Sequence, residues 1–97
     1  MAAVARQGDA GVSHCSGFTI AQGSSSVFIN GRPAARVGDS NTSHLKPAGR
    51  FCLPHTASIS TGSASVKCNG RPLARVGSSF SGCTAVAQGS PNVFVGD

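Results

Sequence analysis

The feature that most constrains this chain is that it repeats itself. Residues 23–40, GSSSVFINGRPAARVGDS, return 39 positions later as residues 62–79, GSASVKCNGRPLARVGSS, with thirteen of eighteen positions identical. A fixed internal period points to a structure assembled from equivalent units. A third copy is split between the ends: residues 89–95, GSPNVFV, repeat the front half, and residues 4–9, VARQGD, repeat the back half. With both pieces aligned to the first copy, Met1 and Asp97 each fall on Gly31, so the third unit is complete when the termini meet.

Each full copy carries the chemistry of a hairpin. Asn30-Gly31 and Asn69-Gly70 suit a type I′ turn, which needs positive φ at both central residues. Pro33 and Pro72 follow the turn, where a missing N–H is tolerated at the start of a strand. Period-two alternation places Lys67 outward, in the same position as Phe28 and Phe94. Val66 and Cys68 are then expected inward, with Val27, Ile29, Val93 and Val95. The expected fold is all-β, three β-hairpins about a pseudo-threefold axis, with the seam between the termini at a hairpin tip.

Such a chain has little with which to build a core. It has 97 residues, five Phe, no Trp or Tyr, and 13 Gly. A domain of this size buries only about two-thirds of its unfolded surface, so a metal or a disulfide is the expected staple. The first residues hold no apolar run of signal-peptide length, which predicts assembly in the cytoplasm without a signal peptide. In a reducing compartment the four cysteines are expected as ligands or core residues rather than disulfides.

The connections between units carry the candidate ligands. Six residues beyond Gly8, Gly38 and Gly77 stand His14, His44 and Cys83, three metal-binding types at one equivalent position. About a threefold axis these side chains converge, and a tetrahedral zinc then needs one more ligand. The longest connection offers Cys52 and His55. His55 is preferred because Pro54 stiffens its approach, whereas Cys52 between Phe51 and Leu53 reads as a small apolar filler. Iron is the chemically reasonable substitute for zinc. A structural site of this kind supplies on the order of 10 kcal/mol of folding free energy.

Charge and composition exclude other classes. The net charge is +5, from eight basic residues against three Asp and no Glu. Asp9, Asp39 and Asp97 are the sole candidate general bases, and no H-E-x-x-H pattern is present, which argues against a zinc hydrolase. The spacings of zinc fingers and the aromatic residues used for base stacking are missing, so a nucleic-acid partner is not expected. The symmetric arginines Arg6, Arg36 and Arg75 could meet acidic partner residues or anionic lipid, but local pairs with Asp9 and Asp39 are the expectation, each worth under about 1 kcal/mol if exposed.

Residues 32–39, RPAARVGD, contain the Pro-Ala-Ala-Arg motif itself. With the preceding Gly-Ser-x-x-Val-Phe-Ile-Asn-Gly, they resemble the PAAR-repeat proteins that tip type VI secretion spikes and related contractile phage tails. The likeness extends over nearly the whole chain. It implies a small cone whose blunt β-sheet base docks, one copy per trimer, on a trimeric valine-glycine-repeat spike, and whose apex is closed by one zinc. His14, His44, His55 and Cys83 fit that metal site, and Phe28 and Phe94 fit the spike-contacting base. The resemblance further implies a membrane-piercing tip, exported to the target cell or carried in a virion, sometimes with effector toxins. Residues 1–97 read as one such domain with no toxin or adaptor extension. The departures are Leu73 in place of the first motif Ala and Ser78 in place of the Asp, so no role can need an acid in all three units.

Overall fold

The Asn-Gly turns close two of the ribbons. In the computed structural model, which describes residues 1–96, Asn30 and Gly31 have φ of 55° and 78°, and Asn69 and Gly70 have 54° and 78°. These are the paired positive values of type I′ turns. They close the ribbons β2 (Phe28–Ile29) with β3 (Arg32–Pro33) and β6 (Lys67–Cys68) with β7 (Arg71–Pro72). The third equivalent ribbon joins the two ends of the chain: β1 (Ala2–Ala3) pairs antiparallel with β8 (Phe94–Val95), Ala3 opposite Phe94 as Pro33 is opposite Phe28. Asp97, the candidate base and seam residue, lies outside the described residues. The fourth ribbon, β4 (His44–Ala48) with β5 (Phe51–His55), belongs to the long connection and has no counterpart in the other units. No helix occurs among the described residues.

The three units are joined cyclically by single backbone bridges. Val4 pairs with Arg75, Ala34 with Arg6, and Leu73 with Arg36, three equivalent links around one axis. A second ring repeats the arrangement, with Gly11 on Val86, Asn41 on Ile20 and Phe80 on Ile59. At the centre, Ala5 N–H donates to the Ala74 carbonyl, Ala74 N–H to Ala35 and Ala35 N–H to Ala5, at 2.9–3.0 Å. All three alanines are fully buried. Backbones that hydrogen-bond in a closed triangle leave room on the axis for little more than a methyl group, which is why the second Ala of each motif is the one that all three units keep.

Two apolar clusters flank this ring. Toward the turns lie Val4, Ala34, Leu73, Cys68 and Val95, with Ile29 and Val93 packed against them. Each unit contributes a different pair, Ile29 with Ala34, Cys68 with Leu73, Val95 with Val4. The departure at Leu73 is thus matched by a smaller neighbour type in the same unit, keeping the volume near constant. On the other side are Phe18, Ile20, Ile59, Phe80 and Val86.

Val27 and Val66 correct the inward expectation, because both are exposed. The reason is local: Ser24 Oγ accepts the N–H groups of Ser26 and Val27, and Ser63 Oγ those of Ser65 and Val66, so the chain turns just before the strand. Alternation by two holds only along extended backbone. Cys68 and Val95 are buried as expected, and Phe28, Lys67 and Phe94 are outward and exposed.

The arginine pairs with Asp9 and Asp39 form, and both are largely buried. Asp9 is almost fully buried and accepts from the backbone N–H, Nε and a terminal nitrogen of Arg6 at 2.8–3.0 Å, and from Arg32 at 2.9 Å. Its hydrogen bond holds the Arg6 guanidinium above its already high usual range. Asp39 repeats the pattern with Arg36, and with Arg71 at 3.4 Å. At the third such site the second copy has Ser78 for the acid, and the split copy has Ala2 where the crossing arginine would stand. Acid and its second cation are therefore absent together, and Ser78 Oγ instead accepts the Arg75 N–H at 3.0 Å.

Candidate metal centre

Beyond the second cluster the three connections meet. His14, His44, His55 and Cys83 each offer one ligand atom, and these four atoms lie within 4.8 Å of one another. His14 and Cys83 come from the first and third connections, six residues past the glycines Gly8 and Gly77. Both of those glycines have positive φ, as does Gly38. His44 and His55 are opposite partners at the open end of the β4–β5 ribbon. That pairing explains how two donors from one connection reach the same point: cross-strand neighbours share a face.

The separations suit a shared cation. Bonds of about 2.0–2.1 Å to nitrogen and 2.3 Å to sulfur set the ligand atoms of a tetrahedral zinc about 3.3–3.6 Å apart. Cys83 Sγ stands 3.4 Å from His44 Nε2 and 3.5 Å from His55 Nε2. Two further pairs, His14 Nε2 with Cys83 Sγ and His55 Nε2 with His44 Nε2, stand closer, at the hydrogen-bond distance of 2.8 Å, and would have to open by about 0.5–0.8 Å around an ion. His44 Nδ1 lies 2.8 Å from the Thr42 carbonyl, which can only accept. The proton therefore sits on Nδ1, and the Nε2 lone pair faces the cluster, the usual outer contact of a metal-binding histidine. This donor set can hold a metal ion.

Burial and neighbouring positive charge act together on His55. Its pKa is lowered, first by desolvation and then by His44, Lys46 and His14. The folded chain thus binds fewer protons here than the unfolded chain, whose imidazole titrates near about 6.5. Stability from this group is complete above that value and falls as pH drops toward the folded value. The metal-free protein is expected to melt at a lower temperature at pH 5 than at pH 7, and His55→Gln to flatten that slope, as thermal melts across pH would record.

Several contributors to the site have no sequence signal of the ligand kind. Phe18 is buried and stacks on His44, ring centroids 4.0 Å apart, which gives the cluster an apolar floor. A Cβ on Gly11 would stand 2.2 Å from the Phe18 ring. Gly11→Ala is therefore expected to displace Phe18, lower stability by about 1–3 kcal/mol and weaken metal retention, checked by melting and by competition with a chelator.

Cys15 and Cys52 overturn the expectation of reduced cysteines. They form a disulfide, with Cα atoms 6.1 Å apart, and both residues are exposed, so Cys52 is no apolar filler. The bond joins the connection carrying His14 to the ribbon carrying His44 and His55. Spacing alone cannot foretell it, since neither cysteine occupies a repeated position. Cys68 and Cys83 are free thiols, the first buried in the core as its register requires.

Comparison with known proteins follows the same lines. The family model described as PAAR motif matches residues 2–44 and 53–97. No curated protein matches the chain.

Proposed function

The chain belongs to the PAAR-motif family, and from that premise we propose that it is the structural tip of a contractile injection machine of the type VI secretion kind, capping the end of a trimeric spike. One observation carries this reading: a single chain presents three equivalent ribbons about one axis, the third made by its own termini. A threefold partner can then meet three near-identical edges of one asymmetric molecule. Main-chain pairing at those edges supplies direction, and outward apolar side chains supply buried area. Phe28 and Phe94, both exposed at equivalent positions, supply that area.

At the other end the role is mechanical. Zinc, with iron as a substitute, would be held by His14, His44, His55 and Cys83, and would supply a cross-link where the converging connections leave no volume for a core. Four protein donors fill a tetrahedral ion, which suits a structural site rather than a hydrolytic one that must keep a position for water. The reading places assembly in the cytoplasm and export with the spike, with effector toxins as further cargo.

Phe28→Ser is expected to weaken docking on the cognate spike protein by about tenfold or more while leaving metal content and melting temperature unchanged. Calorimetric titration against the purified spike checks it; equal affinity for the two chains would remove Phe28 from the interface.

A further inference from the structure

The β4–β5 ribbon holds the part of the chain that the family match leaves out, residues 45–52. Its open end is the His44–His55 pair and its tip is Gly49-Arg50, with Gly49 at φ 63°. The tip therefore points away from the four-donor cluster, and the two strands touch no other strand among the described residues. Leu45, Leu53 and Phe51 are exposed, Phe51 at 72%.

Three features of this ribbon indicate what it meets. First, it is apolar on both faces: Leu45, Pro47, Cys52 and Pro54 share one, and Ala48, Phe51 and Leu53 the other with Lys46. A protein groove would cover one face, whereas a lipid phase surrounds an element that enters it. Second, Pro47 and Pro54 cannot sit in hydrogen-bonded pairs, so each occupies a position whose N–H would point outward, one on each edge. Missing edge donors disfavour the addition of a partner strand and lower the cost of leaving water. Third, Lys46 and Arg50 are the ribbon's charges, and no acidic residue lies between Asp39 and Asp97.

We propose that this ribbon is a lipid-contact element that seats in the headgroup region of an anionic bilayer, with Leu45, Phe51 and Leu53 at the acyl boundary and Lys46 and Arg50 on the phosphates. The Cys15–Cys52 disulfide anchors it to the neighbouring connection, so it meets the surface as a stiff element. The inference deepens the reading of the chain as a tip, for it assigns a chemistry to the end opposite the docking base.

The test sediments the zinc-loaded, oxidised full chain with vesicles of phosphatidylcholine mixed with phosphatidylglycerol, and with phosphatidylcholine alone. Binding is expected to the mixed vesicles, weaker to the neutral ones, and reduced by salt. Phe51→Ser with Leu53→Ser should lower it about tenfold or more, and Lys46→Gln with Arg50→Gln should lower the anionic preference about tenfold. Metal content and melting temperature verify that each variant is folded. A wild-type chain that ignores both vesicle types overturns the proposal and assigns the ribbon to a protein partner. Equal binding to the two vesicle types, or binding that survives both substitutions, also overturns it. Phe28→Ser keeps the two ends separate: spike affinity should fall while vesicle binding stays unchanged, so failure at one end leaves the other reading intact.

Discussion

Removing the metal from the reduced chain is expected to unfold it. A structural zinc supplies on the order of 10 kcal/mol, as much as the whole net stability of an ordinary domain. Here it would act on a core in which four of the most buried residues are alanines. The disulfide is a second tie, joining cysteines at a sequence separation of 37, and is worth about 4 kcal/mol by chain entropy. Three states should therefore rank in melting temperature: metal-loaded and oxidised highest, chelated and oxidised lower, chelated and reduced without a cooperative transition. Cys83→Ala should lose the ion and lower the melting temperature by more than about 20 °C, whereas Cys15→Ser should keep the ion and lose only the second tie. Elemental analysis paired with thermal melts reads both, and a Cys83→Ala chain that still holds one metal per monomer would contradict the assignment.

The second large effect is expected at a carboxylate. Asp39→Ala should destabilise by about 3–5 kcal/mol, because it leaves the nearly buried Arg36 guanidinium without its bidentate partner. Arg71→Ala, which removes a 3.4 Å contact from a side chain that is 42% exposed, should cost less than about 1 kcal/mol. Denaturant unfolding of the two variants decides between a buried keystone and a surface pair, since the latter would make the two losses similar. The third site of this kind does without both groups, with Ser78 of the second copy in place of the acid and Ala2 of the split copy in place of the crossing arginine.

Most of the architecture is legible in the residues because it is written more than once. The Asn-Gly turns, the seam between the termini and the glycine-plus-six register are each read by comparing copies, and the fold follows them. What escapes comparison is what occurs in only one unit. The β4–β5 ribbon has two prolines in its strands, a pattern that argues against sheet until both are seen to lie on outer edges. The Cys15–Cys52 bond depends on that ribbon bringing Cys52 beside the first connection. Depth also escapes: Arg6 with Asp9 is readable as a pair, but only the packed structure shows that both side chains are nearly inaccessible. Val27 and Val66 fail for a smaller reason, a serine-capped turn that breaks the alternation one residue too early.

The central claim is that one pseudo-threefold chain closes one threefold spike. Native mass spectrometry of the metal-loaded chain mixed with its cognate spike protein measures this directly. The account predicts a complex of one copy of this chain with three spike chains, unchanged when the chain is in excess. A complex of three to three, or no complex while the chain is folded and metal-loaded, would contradict it.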